Sequence, residues 1–222
     1  MGNTHTLITL TDPRSPVSEA YRTLRTNLEF SSLDEPVRTL VVTSPGAEEG
    51  KSTVLANLAV TLAQGGKQVI LLDCDLRRPT QHTLFGLDNA TGLTTMMLAE
   101  DAWSDPPLRQ TPVDGLRVLP AGPTPPNPAE LLGSRRMKET MAALLEQADV
   151  LLFDAPPVLA VTDALVLAVQ TDGVLLVVKA GGTRREHIQQ AKERLERVNA
   201  RIVGAVLNNA PTDAMLQEYY TV

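Results

Sequence analysis

Six short runs of Val, Ile and Leu, at residues 39–43, 68–72, 116–119, 150–153, 174–178 and 202–207, constrain this chain more than any other feature. Each run is apolar without polar alternation, so both faces of each strand must be covered, which is the condition of a parallel sheet with helices on either side. Helical patterns at 16–30, 52–64, 134–147, 162–170 and 183–198 precede and separate the runs. The alternation predicts an α/β fold, a mostly parallel sheet flanked by helices on both faces. A length of 222 residues suits a single domain, assigned here to 15–209, with an N-terminal extension over 1–14 and a flexible tail over 210–222. Residues 101–128 hold eight of the sixteen prolines and read as a surface excursion carrying one short strand.

Composition narrows the function. Twenty Lys and Arg stand against twenty-six Asp and Glu, a net charge of −6, and no long basic run can neutralise a phosphate backbone, so nucleic acid is not an expected partner. One cysteine, Cys74, rules out an intramolecular disulfide and fits a reducing, cytoplasmic compartment. The longest apolar stretch, 163–179, is interrupted by Gln170, Thr171 and Asp172 and falls short of the roughly 20 residues that span a bilayer.

The first helical pattern has two faces. At 100° per residue, Val17, Tyr21, Leu24 and Leu28 share one arc, expected to face the core, and Glu19, Arg22 and Arg25 share another, expected to be displayed outward.

Chemistry is concentrated at three strand exits. Directly after the first run comes Thr43-Ser44-Pro45-Gly46-Ala47-Glu48-Glu49-Gly50-Lys51-Ser52-Thr53, opening a helix. A loop of this kind aims backbone N–H groups and a helix N-terminus at phosphates, with a Lys reaching the β/γ-phosphates and a Ser hydroxyl on Mg²⁺. Gly46, Glu49, Gly50, Lys51, Ser52 and Thr53 are therefore the expected nucleotide contacts. The usual pattern opens with Gly where Pro45 stands, and Gly46 follows it. The second exit is Asp73-Cys74-Asp75-Leu76-Arg77-Arg78-Pro79. Two carboxylates at the C-terminal end of a parallel strand lie where such sheets bind ligands. Beside a triphosphate, one can hold Mg²⁺ and the other accept a proton. The alternative is an acidic turn paired with Arg77 and Arg78. The third exit, Phe153-Asp154-Ala155-Pro156-Pro157, ends a buried strand on one carboxylate, placed to contact Mg²⁺, and is also compatible with a plain turn.

Together these segments resemble the bacterial tyrosine kinases of capsule and exopolysaccharide synthesis. That family combines a Walker A loop (Gly50-Lys51-Ser52 here), a Walker A′ element (Asp73-Cys74-Asp75-Leu76-Arg77) and a Walker B strand (Asp154-Ala155-Pro156-Pro157). Its Glu-x-x-Arg-x-x-Arg oligomerisation motif is matched by Glu19, Arg22 and Arg25, and 125–132 looks like another family segment. The resemblance spans roughly 15–208. It implies ATP and Mg²⁺ as cofactors, with Lys51, Asp73, Asp75 and Asp154 as catalytic residues and Ser52, Asp75 and Asp154 as metal ligands. Asp73 is the expected base. It also implies a ring-like homo-oligomer, a transmembrane activator or fused membrane segment, a cognate tyrosine phosphatase, and a place at the inner face of the membrane. Phosphorylation is expected in trans on the tail tyrosines, Tyr219 and Tyr220, a short cluster for the family. Asn208, just after the last run, is an adenine contact by resemblance to related nucleotide-binding folds, or a turn-forming Asn.

Two rival readings remain at this level. A ParA/MinD-like ATPase shares the fold class, but its signature lysine would stand where this chain has Gly46. A nucleotide-sensing oligomerisation module would bind ATP without phosphotransfer.

Overall fold

The computed structural model describes residues 7–31, 36–98 and 106–211. Among them seven strands, β1 (Thr39–Thr43), β2 (Val69–Asp73), β3 (Arg109–Gln110), β4 (Leu116–Leu119), β5 (Val150–Asp154), β6 (Gly173–Lys179) and β7 (Ile202–Asn208), form one sheet in the order β3-β4-β2-β5-β1-β6-β7. Every pairing is parallel except β3 with β4. The helices are α1 (Ile8–Thr11), α2 (Pro16–Ser31), α3 (Lys51–Gln64), α4 (Gln81–Phe85), α5 (Leu93–Leu98), α6 (Pro128–Leu132), α7 (Arg135–Leu145), α8 (Asp163–Ala168) and α9 (Arg185–Arg197).

Both faces of the central strands are buried, as unalternating apolar runs require. Leu40, Val42, Val69, Leu71, Leu152 and Leu175 pack with Val54, Leu55 and Leu58 of α3. Their neighbours along the strands, Val41, Ile70, Leu72, Leu151 and Phe153, pack on the opposite face with Leu132, Met137, Leu144, Leu167 and Leu195 of α6 to α9. α3 is buried over every residue from Val54 to Ala63 because α1 and α2 cover its outer side. The two polar residues in that run are satisfied: Asn57 accepts from the Thr9 backbone N–H at 3.1 Å and hydroxyl at 2.8 Å and donates to Thr53 O at 2.9 Å, and the Thr61 hydroxyl donates to Leu58 O at 2.9 Å. Residues 7–11, inside the stretch assigned as an extension, thus join the body, with Leu7 buried.

Three expectations need correction. Residues 106–128 hold two strands, not one, because β3 pairs antiparallel with β4; a two-residue strand, Arg109–Gln110, has no apolar pattern to betray it. Val17, expected in the core, is 47% exposed, while Tyr21, Leu24 and Leu28 pack against the α3 side. Arg25, expected outward, donates to Thr61 O of α3 at 2.9 Å. Glu19 and Arg22 pair with each other at 2.5 Å, all three side chains being half-buried.

The sheet order places the three strand exits together. β1 lies between β5 and β6, and β2 lies beyond β5. Asp73 and Asp154 are register partners across β2 and β5, and Asp154 is opposite Val42 of β1. Their C-terminal ends form one edge of the sheet, at the crevice where open α/β sheets bind ligands. No helix among the described residues is long and apolar enough to cross a membrane.

Candidate active site

The loop after β1 turns sharply enough to require left-handed backbone at Glu48 (φ 60°) and Gly50 (φ 85°). The φ at Gly50 favours glycine, and a Cβ there would lie 2.1 Å from Asn208 Nδ2 and displace that amide. That amide donates to Glu49 O at 2.9 Å and ties the end of β7 to the loop. Within the loop, Ser44 Oγ donates to Gly46 O at 2.6 Å, and Glu49 Oε1 accepts from the Gly46 N–H at 3.1 Å. Burial raises the proton affinity of Glu49 against the opposing influence of Thr183, His187 and Lys179. α3 then starts at Lys51, so the first-turn N–H groups at Lys51, Ser52 and Thr53 have no intrahelical partner. They face an anion-binding position at the positive end of a 14-residue helix.

A cavity of about 380 Å³ opens beside this turn, lined by Gly50, Lys51 and Ser52 and also by Asp75, Arg78 and Leu84. At its base the Lys51 ammonium is held by three oxygens of different elements: Asp75 Oδ2 at 2.9 Å, Ser52 Oγ at 3.1 Å and Asp154 Oδ1 at 3.2 Å. Burial disfavours its charge, but Asp154 and Asp75 outweigh burial and raise its pKa. These three oxygens are the set assigned to the metal, and the ammonium stands in for a cation among them. Hard oxygen donors of this kind suit Mg²⁺.

β2 ends at Asp73, so the two carboxylates of the second exit do not share one side of a strand. Asp75 reaches forward to Lys51 and lines the cavity. Asp73 turns back and is fully buried; its Oδ2 accepts the N–H groups of Thr80 and Gln81, each at 2.9 Å, at the start of α4. Its Oδ1 has no partner among the described residues. Burial, reinforced by the charge of Asp154, lifts the Asp73 carboxyl well above the usual range, against the two N–H groups and Lys51. The turn alternative fails for Arg77, which makes a two-pronged ion pair with buried Asp163 at the start of α8, at 2.9 and 3.0 Å. Asp75 Oδ1 instead accepts the Arg78 backbone N–H at 3.1 Å.

Sequence reasoning passed over Gln81 and Asp163. Gln81 Nε2 donates to Asp154 Oδ2 at 2.7 Å and to Ser52 O at 3.1 Å. The available signal was the Pro79-Thr80-Gln81 start of a helix directly after the acidic element, too short for periodicity to show. Tyr219 and Tyr220 lie outside the described residues.

A family model described as ParA, NUBPL iron-transfer P-loop NTPase, matches residues 37–214. The tyrosine-protein kinase YwqD of Bacillus subtilis (strain 168) is 45% identical over 202 residues, covering 91% of this chain and 85% of that protein. The chain belongs to the bacterial tyrosine-protein kinases. It is an enzyme of that family, a protein-tyrosine kinase on a ParA-type P-loop domain. The structure of the chimerical protein CapA2B2 superposes with a TM-score of 0.88 at 36% identity, covering 96% of each chain. A longer kinase, wzc of Salmonella typhi, is 32% identical over 203 residues, 91% of this chain and only 28% of its own length. The kinase fold therefore occurs both at about this length and as one part of a larger protein.

Proposed function

We propose that this kinase is an ATP- and Mg²⁺-dependent autokinase that phosphorylates its tail tyrosines, Tyr219 and Tyr220, in trans, and regulates capsule or exopolysaccharide synthesis. The observation that carries the reading is the Lys51 ammonium held between Ser52, Asp75 and Asp154, a cation position directly under a phosphate-binding helix start. Mg²⁺ bound among these oxygens would neutralise charge on the β- and γ-phosphates. Gly46, Glu49, Gly50, Lys51, Ser52 and Thr53 form the nucleotide-binding turn, and Asn208, tied to that turn, marks the adenine side. With nucleotide present, Lys51 leaves the carboxylates for the phosphates and stabilises charge on the transferring group. The phenolic hydroxyl has a pKa of about 10, so attack at neutral pH benefits from a proton acceptor. Asp73, with one unpartnered oxygen and raised proton affinity, takes that role.

Assembly into a ring through Glu19, Arg22 and Arg25, a transmembrane activator or fused membrane segment, a peripheral location at the inner face of the membrane, and reversal by a tyrosine phosphatase complete the proposal. The domain division is a kinase domain over 15–209 and a phosphoacceptor tail over 210–222. A ParA/MinD-like ATPase is disfavoured by Gly46 at the signature-lysine place. Incubation with γ-labelled ATP and Mg²⁺, followed by mass spectrometry, tests the reading. Label on Tyr219 or Tyr220 is expected. Phosphate release without labelled tyrosine would identify an ATPase, and binding without either would identify a nucleotide sensor.

A further inference from the structure

Among the described residues, the Gln81 side chain touches two of the proposed metal-binding residues, Ser52 and Asp154, without being charged itself or lining the cavity. It is fully buried, and its two amide hydrogens are both used, one on Asp154 Oδ2 and one on the Ser52 carbonyl. Its own backbone N–H is one of the two that hold Asp73. A flipped amide would set Oε1 against a carboxylate oxygen and a carbonyl oxygen, so the network fixes the orientation.

A carboxylate turns easily about its last torsion, which is broad and roughly two-fold. With Oδ2 of Asp154 held by Gln81, only Oδ1 is presented to the position filled by Lys51. The same amide joins β5, which carries Asp154, to the first turn of α3, which carries Ser52.

We propose that Gln81 is a positioning residue for phosphotransfer: its amide locks the Asp154 carboxylate with one oxygen toward the cation position and couples that carboxylate to the Ser52 turn. The inference rests on Asp154 and Ser52 serving as metal ligands in the proposed function. Groups of this kind around metal ligands typically change metal affinity or activity by about 10–100-fold when removed.

The test uses the full chain as wild type, Gln81→Leu and Gln81→His. Mn²⁺ affinity in the presence of ADP is followed by electron paramagnetic resonance, metal-free ADP affinity by calorimetry, and tyrosine labelling by initial rate. Gln81→Leu should lose about 10–100-fold in Mn²⁺ affinity and labelling rate, with metal-free ADP affinity unchanged, because the phosphate-binding turn remains. Gln81→His carries an Nε2–H at nearly the same reach and should recover most of the loss. If Gln81→Leu does not fold, Gln81→Met, which keeps the length of the side chain, serves the same comparison. Wild-type Mn²⁺ affinity in the Leu or Met variant overturns the proposal, as does an equal loss of metal-free and metal-dependent binding without recovery in Gln81→His. A wild-type protein that binds no Mn²⁺ with ADP brings down the reading of the site itself and this inference with it; that failure is distinguishable because it precedes any substitution.

Discussion

Lys51 is the counterion of Asp75 and Asp154, and in the proposed function the same charge meets phosphate when nucleotide binds. From sequence alone, Lys51→Met should remove activity and spare the fold, since the charge is aimed at a ligand. The ion pairs change that expectation. Removing one partner of a buried pair costs about 3–5 kcal/mol, because carboxylates are left without compensation. Lys51→Met should therefore abolish tyrosine labelling and also lower stability by about that amount in metal-free urea denaturation. Added Mg²⁺ should raise its midpoint more than that of wild type; equal stability in chelator would show that the pairs contribute nothing. Asp73 gives a second prediction, with the opposite sign. Its carboxyl keeps its proton to higher pH in the fold than in the unfolded chain, so stability falls as pH rises from the unfolded value, about 3.9, through the raised folded value. Asp73→Asn can still accept both N–H groups and has no proton to lose. Its stability relative to wild type should be level near pH 4 and higher at pH 7 in metal-free buffer. If Asp73 is the base, the same variant should slow labelling by about 10²–10⁴-fold with nucleotide affinity little changed, whereas Asp75→Asn should also weaken metal-dependent binding. Equal losses of nucleotide affinity in both would refute that division of roles.

Among the elements, α2 and α3 show how a motif named for assembly is also used within the chain. The Arg25 guanidinium donates to Thr61 O near the C-terminal end of α3, a carbonyl that also accepts the Gly65 N–H at 3.0 Å, and positive charge is favourable at that end of a helix. Arg25→Ala should lower the stability of the isolated subunit by about 1–2 kcal/mol. Glu19→Ala, which loses only a half-exposed pair with Arg22, should cost under about 1 kcal/mol. Denaturation at concentrations where light scattering reports monomer separates this effect from any loss of assembly; equal small effects would leave Arg25 free for an interface. The same scale explains what the sequence could reveal. β1, β2, β5 and β6 were legible because burial on both faces writes itself as uninterrupted Val, Ile and Leu. β4 and the edge strand β7 were found from their apolar residues, but β7 is nowhere buried and Leu207 is 60% exposed, so the expectation of two covered faces fails there. α2, α3, α7 and α9 were legible because they run for 11 to 16 residues. α4 and α6 have five residues and β3 two, too few for a period. Gln81 was missed because it begins one of these short helices. At the site, the three strand exits could be read as motifs, but not the inward turn of Asp73 or the capture of Lys51 by Asp75 and Asp154, which depend on where β2 stops.

For the whole molecule, the deciding quantity is the path from β7 to the cavity. β7 delivers the chain to Asn208 beside the phosphate-binding turn, and Ala210 and Pro211 line a groove with Val17 and Tyr21 of α2. The described chain therefore ends beside the turn proposed to hold nucleotide, and Asp75, Arg78 and Leu84 line the cavity together with Lys51. Tyr219 is eight residues beyond Pro211, a reach of about 26 Å at roughly 3.3 Å per residue. That length permits either route, and in the proposed ring a neighbouring subunit's tail would be within the same reach of the cavity. Transfer between subunits is the course proposed above, and a ring with heterologous contacts would repeat it around every interface. Each phosphate brings a charge of about −1.5 to −2 toward a site already holding Asp73, Asp75 and Asp154, which should loosen tail docking and the ring with it. The measurement mixes a Lys51→Met chain bearing both tyrosines with an active chain in which Tyr219 and Tyr220 are replaced by Phe. Label should appear on the inactive chain, and light scattering should show smaller assemblies as labelling of the wild-type protein proceeds. An unlabelled inactive chain that has retained its fold in Mg²⁺, beside wild type that labels readily, would leave only the route in cis.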